Sequence, residues 1–165
     1  MSFFAAVALT GAGTAIGLCC SLRLKRRKQT LEQAVLLAEE MQIKIGYQAL
    51  PIKEIIGQAV NNKAYDRLRF LKKISECAEE YNFHSAWENG ISSAESFTAE
   101  DKAILLALGE GLGASGCDGQ LSLLETHKTL LERQLTAADD EYSRKGKMVR
   151  SVGMLCGLAA GISVL

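Results

Sequence analysis

The chain has 165 residues, and its 19 basic and 19 acidic side chains give a formal net charge of zero at pH 7. All of these charges lie between Arg23 and Arg150. The net charge of zero therefore averages two apolar ends and a charged middle, and it does not indicate what kind of partner the protein binds. The length limits the charged middle to one small domain, and the five cysteines and two histidines lack the spacing of a zinc finger.

The N-terminal segment, residues 2–22, carries no charged side chain. A helix rises about 1.5 Å per residue, so this segment covers the roughly 30 Å of a bilayer's hydrocarbon core, and we predict a transmembrane helix. A secretory signal would carry its positive charge before the apolar stretch, whereas here the basic residues follow it. A lipoprotein cleavage site is absent as well, because Leu18 and Cys19 precede Cys20.

A basic cluster follows this first predicted span. Cytosolic flanks of spans are enriched in Lys and Arg, so the cluster predicts that residues 23–148 lie in the cytosol and that both termini lie on the opposite side of the membrane. Nucleic acid is an alternative ligand for such a run, but a position directly after a span favours the membrane surface. The cluster consists of Arg23, Lys25, Arg26, Arg27 and Lys28.

The middle of the chain is predicted to be helical throughout, because it has one proline and no alternating runs of β-branched residues. Apolar residues at helical spacing from Leu31 to Ile45 predict a first helix that continues from the span. Pro51 is predicted to begin a second helix, and Asp66 a third.

A short fourth helix is predicted to end at Gly90, with the single tryptophan, Trp87, in the core. Thr98 and Asp101 have the spacing of a capping box and predict the start of a fifth helix. The glycine-rich bend "GASGCDG" is predicted to separate that helix from the last one.

The last helix, from about Gln120 to the C-terminus, carries a seam of residues spaced three and four apart. A lone helix would expose this seam to water, so it predicts packing against an antiparallel helix of the same domain. The runs "DDE" at 139–141 and "RKGK" are predicted to form a solvated face near the membrane, with a binding surface as the alternative. The seam consists of Leu121, Leu124, Lys128, Leu131, Leu135, Ala138, Tyr142 and Lys145.

The C-terminal segment, residues 149–165, is predicted to form a second transmembrane helix. It reaches about 25 Å, and Lys147 and Arg150 can extend their charged ends to the interface. Small residues let helices pack closely in lipid, so the glycines of the two spans are predicted to form packing faces, within one chain or between copies in an oligomer. These glycines are Gly13, Gly17, Gly153, Gly157 and Gly161.

The sequence contains no convincing catalytic pattern, and we predict that the protein is not an enzyme and needs no cofactor. "GLGASG" fits the bare dinucleotide motif, but it ends a helix instead of following a strand. Adjacent acids such as Glu39 and Glu40 point in different directions on a helix.

Several segments, taken in order, resemble the stage III sporulation protein AB family of endospore-forming bacteria. They are "QIKIGYQALPIKEII", "AWENGI", "TAEDKAILLALGEGLGAS" and "KMVRSVGMLCGL". The resemblance covers essentially the whole chain. Its motif positions are Tyr47, Pro51, Trp87, Leu108, Gly109, Leu112, Gly113 and Gln120.

The resemblance implies an all-α fold, a helical bundle like the cytosolic domain of type II secretion platform proteins. It implies a platform or adaptor of the channel between mother cell and forespore, at the mother-cell side of the septum. The implied partners are a companion cytosolic ATPase (of the stage III sporulation protein AA type), other membrane proteins of the channel, and the lipid bilayer. The alternative from the residues alone is a holin-like protein that permeabilises membranes.

The chain departs from the family at one position. In the family the second Leu-Gly pair is usually followed three residues later by Asp, where this chain has Gly116. Asp118 lies two residues later, and Gln120 keeps its place. Whether Gly116 alters a role of that acid is left open by the sequence.

Overall fold

The computed structural model describes the backbone of residues 2–77 and 82–162, and the side chains of residues 19, 21–77, 82–145, 148 and 152. The described residues are all-helical, as predicted, with no strand among them. The helices are α1 (Ser2–Gln48), α2 (Ile52–Val60), α3 (Phe70–Cys77), α4 (Phe83–Ser92), α5 (Ala99–Gly111) and α6 (Cys117–Ile162), with a 3₁₀ turn at Lys63–Tyr65.

The chain divides into two compact units. The central unit is Gln29–Thr136, and the terminal unit contains residues 1–28 and 137–165. Both long helices, α1 and α6, contribute residues to each unit.

The core of the central unit is formed by the apolar sides of all six helices. On α1 the buried residues recur every three or four positions, which makes one side of the helix apolar. Trp87 of α4 is 2 % exposed, and its ring lies 6.3 Å from that of Phe70 and 5.8 Å from that of Phe83. The predicted place of Trp87 in the core is confirmed. The core residues of α1 are Leu31, Ala34, Leu37, Ala38, Met41 and Ile45.

Helices α1 and α6 run antiparallel in the central unit. The side-chain nitrogen of Gln42 donates to the Glu125 carboxylate at 2.8 Å, and the Cys117 thiol donates to the Ile45 carbonyl at 3.7 Å. The later residue of α1 thus contacts the earlier residue of α6, as expected for antiparallel helices. Leu124 is fully buried, as is Leu131, so the predicted packing of the α6 seam against an antiparallel helix is confirmed.

The third helix starts later than predicted. It begins at Phe70, because the residues around Asp66 are used in a turn. The Gln33 side chain donates to the Asp66 carboxylate at 2.9 Å and accepts from the backbone N–H of Arg67 at 2.9 Å. This contact with α1 holds the segment outside a helix, and sequence spacing could not reveal it.

The predicted capping box of α5 is present. The Thr98 hydroxyl accepts from the backbone N–H of Asp101 at 3.3 Å, and the Asp101 carboxylate accepts from the backbone N–H of Thr98 at 2.9 Å. Asp101 is fully buried. The cap satisfies backbone donors that the first turn of a helix leaves without partners.

In the terminal unit, α1 and α6 are joined by ion pairs. Lys28 lies 2.7 Å from Asp139, and Arg27 lies 3.7 Å from Glu141. Ala138, which directly precedes Asp139 in sequence, is fully buried. The solvated face predicted for residues 139–141 therefore also holds two ion pairs to the basic cluster.

Among the residues that the structure describes, no helix has a stretch both long and apolar enough to cross a bilayer. The side chains of residues 2–18 and 153–165, which make up most of the two predicted spans, lie outside the described residues.

Candidate partner-binding cleft

One wall of the candidate site is the turn between α1 and α2. The backbone reverses at Ala49, whose φ of 51° is in the left-handed region. The N–H of Leu50 then donates to the Lys44 carbonyl at 3.3 Å, which satisfies an acceptor of the last turn of α1. Pro51 is the N-cap of α2, where its missing N–H costs nothing. The predicted position of Pro51 at the start of this helix is correct to within one residue.

The second wall is the turn between α5 and α6. Helix α5 ends at Gly111, and Gly113 adopts a φ of +82°, which favours glycine. The side chain of Gln120 donates to the Ser115 carbonyl at 2.9 Å and fixes the turn against the first residues of α6. A Cβ at Gly113 would lie 3.8 Å from the Cδ1 of Ile52, so this turn lies beside the start of α2.

The two turns enclose an open cleft of about 360 Å³. None of the described residues that line it is charged. Its polar side chains are the Cys117 thiol and the Gln120 amide, so the cleft is suited to an apolar side chain held by a few hydrogen bonds. The lining residues are Ile45, Ala49, Leu50, Pro51, Ile52, Gly113, Cys117 and Gln120.

Tyr47 lies on the last turn of α1, next to the cleft in sequence, and is 88 % exposed. Tyrosine offers a large, rigid surface together with a hydroxyl, and it is enriched where proteins bind one another. An exposed Tyr beside an uncharged cleft is therefore a candidate contact residue.

The family-motif residues fall into two groups. Pro51, Gly113 and Gln120 line the cleft, although they come from two distant parts of the chain, and Tyr47 lies one helical turn before Pro51 in sequence. Trp87, Leu108, Gly109 and Leu112 are buried in the core. The first group is a candidate for binding, and the second supports the fold.

Most of the cleft lining, including Ile45, Leu50 and Cys117, was not predicted from the sequence. The sequence feature that could have indicated these residues is their position near Pro51 or the Gly113 bend, because a chain reversal brings the ends of two helices together. Sequence spacing does not show that two reversals more than 60 residues apart meet.

The other predicted site residues lie elsewhere. Arg27 and Lys28 take part in the ion pairs of the terminal unit, and Arg23, Lys25 and Arg26 are exposed on α1. The five glycines predicted to pack in the membrane lie in α1 and α6, but their surroundings fall outside the described side chains. They are Gly13, Gly17, Gly153, Gly157 and Gly161.

Gly116, where the family resemblance leads us to expect Asp, directly precedes α6. Its carbonyl accepts from the backbone N–H of Gln120 at 3.0 Å, as an N-cap carbonyl does. A Cβ there would meet nothing within 4 Å. An Asp at this position would therefore cap α6, while Asp118 lies inside the first turn of that helix.

The fold and the cleft define an all-helical protein with a candidate protein-binding site at one end of its central unit. A family model described as stage III sporulation protein AB matches residues 2–165, and the chain belongs to this family. The resemblance inferred from the sequence is thereby confirmed, and the family gives the chain a role in sporulation. A search of curated proteins and a search of solved structures each find no match.

Proposed function

We propose that this protein is a membrane-tethered platform, or adaptor, of the sporulation channel. Its central unit lies in the cytosol of the mother cell and binds a companion cytosolic ATPase at the cleft. Residues 2–22 and 149–165 tether it to the membrane and to other membrane proteins of the channel. The protein organises these partners and catalyses no reaction.

One observation carries the proposal. The motif residues Pro51, Gly113 and Gln120 line one open, uncharged cleft although they come from distant segments, and the exposed Tyr47 is next to this cleft in sequence. The cleft lies at the C-terminal end of the central part of α1 and at the N-terminal end of α6. Of the two ends of α1 and of α6, these are the ones farther in sequence from the proposed spans, and we propose that the cytosolic partner binds there.

The chemistry of the cleft supports a binding role. General acid–base catalysis requires a positioned titratable side chain near the reacting atoms. The polar side chains of the lining are the Gln120 amide, which does not titrate, and the Cys117 thiol, which already donates its proton to a hydrogen bond with the Ile45 carbonyl. This pair suits recognition by hydrogen bonding better than proton transfer.

Binding can be measured with the purified full chain in a nonionic detergent and the purified companion ATPase. We expect Tyr47→Ala to weaken the complex at least about tenfold, as truncation of an interface tyrosine commonly does. Lys72→Ala, a change at an exposed position on α3, is the control and is expected to leave affinity unchanged. If the Tyr47→Ala variant and the unaltered chain bind the ATPase with equal affinity, the proposal that the ATPase binds at the cleft is wrong.

The membrane arrangement has a separate test. Protease added to intact cells is expected to leave the region around Trp87 uncut, and protease added to opened cells is expected to cut exposed parts of the central unit. Cleavage near Trp87 from outside intact cells would contradict the cytosolic position.

A further inference from the structure

Two apolar side chains of α1 lie on the surface of the central unit outside the cleft. Leu36 is 44 % exposed and Ile43 is 55 % exposed. They are seven residues apart, so they share one side of the helix and are separated by about 10.5 Å along its axis. Apolar side chains with this spacing on an exposed helix are typical of a contact with another helix.

Carboxylates border these two residues. Glu39 of α1 is exposed, as are Glu125 and Glu132 of α6, and α6 is joined to α1 at this place by the hydrogen bond between Gln42 and Glu125. Lys128 lies among the acids, 3.0 Å from Glu125. Three carboxylates and one ammonium group leave this border with a formal charge of −2.

The behaviour of Lys128 supports the proximity of these acids. Its pKa is raised above the usual value by the hydrogen bond to Glu125, against a smaller opposing effect of burial. The charges of Glu125, Glu132 and Glu39 also raise it. The border is thus one negatively charged cluster that extends from α1 to α6.

We propose that this acidic stripe, defined as Leu36, Ile43, Glu39, Glu125 and Glu132, binds a positively charged amphipathic helix of a partner protein. Two apolar side chains of that helix, one heptad apart, cover Leu36 and Ile43. Its Lys or Arg side chains face the carboxylates. A second copy that presented the same stripe would bring a second set of the same carboxylates to the contact, and like charges oppose association.

The acidic stripe is a second contact surface and does not depend on the cleft, because neither Leu36 nor Ile43 lines it. A platform with two separate surfaces can hold two different partners at once. If the test of one surface gives a negative result, the proposal for the other surface still stands.

The test uses the full chain in nonionic micelles and three labelled helical peptides of equal length. The first has leucines one heptad apart flanked by lysines, the second replaces the lysines with glutamates, and the third replaces the leucines with glutamines. Binding is followed by fluorescence anisotropy, with empty micelles titrated in parallel. We expect the first peptide to bind at least about tenfold more tightly than the other two, and more weakly as salt is added.

Variants then locate the binding. Ile43→Ser and the double variant Glu39→Lys/Glu132→Lys are each expected to weaken binding of the first peptide about tenfold. The matched control, Glu76→Lys/Glu88→Lys, makes the same charge change at exposed positions on α3 and α4 and is expected to stay within about twofold. Circular dichroism checks that each variant keeps its helix content.

Three results would overturn the proposal. The lysine and glutamate peptides could bind equally, or the control double variant could weaken binding as much as the Glu39/Glu132 variant. A photo-crosslinker placed at position 43 could also join two copies of the chain, which would make a second copy the occupant of the stripe.

Discussion

Gly109 lies directly against the ring of Trp87, so closely that a Cβ at Gly109 would overlap the ring's Cδ1 atom. The indole nitrogen of Trp87 also donates to the Leu105 carbonyl at 2.7 Å, one turn earlier on the same helix. The ring is thus fixed against α5 and cannot move aside without losing a buried hydrogen bond.

Gly109→Ala is therefore expected to destabilise the protein by about 1–3 kcal/mol, the usual cost of overpacking a core. The free energy of unfolding, measured in denaturant, tests this. Gly57→Ala is the control, because a Cβ at Gly57 meets nothing within 4 Å. It is expected to stabilise α2 by about 0.5–1 kcal/mol. Equal stability of the two variants would contradict the packing described for Trp87.

The capping box at the start of α5 predicts a loss of stability for Thr98→Ala. The change removes the hydroxyl that accepts from the Asp101 N–H, and a lost N-cap costs about 1 kcal/mol. Thr136→Ala is the matched control, since the exposed Thr136 hydroxyl bonds back to Glu132 within a helix and alanine is the better helix former there. If both changes have the same effect on thermal unfolding, the Thr98 cap contributes nothing.

At position 116 a gain of stability is expected. Gly116→Asp places a carboxylate at the N-cap of α6, where there is open space for it. Compared with Gly116→Ala, the Asp variant is expected to be more stable by about 1 kcal/mol. Thermal unfolding of the two variants under the same conditions measures the difference, and a less stable Asp variant would rule out a capping role for the family's acid.

The contact between Glu40 and Tyr65 predicts a dependence of stability on pH. Burial alone would raise the pKa of Glu40, but hydrogen bonds from Lys44 and Tyr65 outweigh it and hold this pKa below its usual 4.5. Burial and the adjacent Glu40 carboxylate raise the pKa of Tyr65. Since the pKa of Glu40 is lower in the folded state than in the unfolded state, the contact stabilises fully above about pH 4.5, and this contribution is lost as pH falls through the folded-state pKa.

Tyr65→Phe removes one of the bonds that lower this pKa. We expect lower stability at pH 7 and a smaller further loss between about pH 4.5 and pH 3, measured by denaturant unfolding at a series of pH values. Tyr47→Phe, at an exposed position, is expected to follow the unaltered chain across the series. A Tyr65→Phe curve parallel to that of the unaltered chain would contradict the coupling.

Features that depend on neighbours in sequence were predictable. The capping box uses two residues three apart, and the bend at Gly113 uses a glycine that accommodates a positive φ. The α6 seam showed that a partner helix was required, because its apolar residues recur on one side of a long helix. The family motifs led to the correct family for the same reason, since they are short and local.

Features that depend on distant residues were not predictable. Gln33 holds Asp66 and Arg67 in a turn, so α3 starts four residues later than its own sequence indicates. Lys28 and Arg27 pair with acids more than 100 residues away. The cleft likewise forms where two chain reversals meet, and only the fold determines that meeting.

The central claim, that the cleft binds the companion ATPase in the cell, is tested most directly by photo-crosslinking from position 47. A photoreactive amino acid replaces Tyr47 in the full chain, and a control chain carries it at Lys72. After illumination of sporulating cells, our account predicts a covalent product with the ATPase from position 47 and none from position 72. Absence of that product at position 47, or equal yield from position 72, would contradict the account.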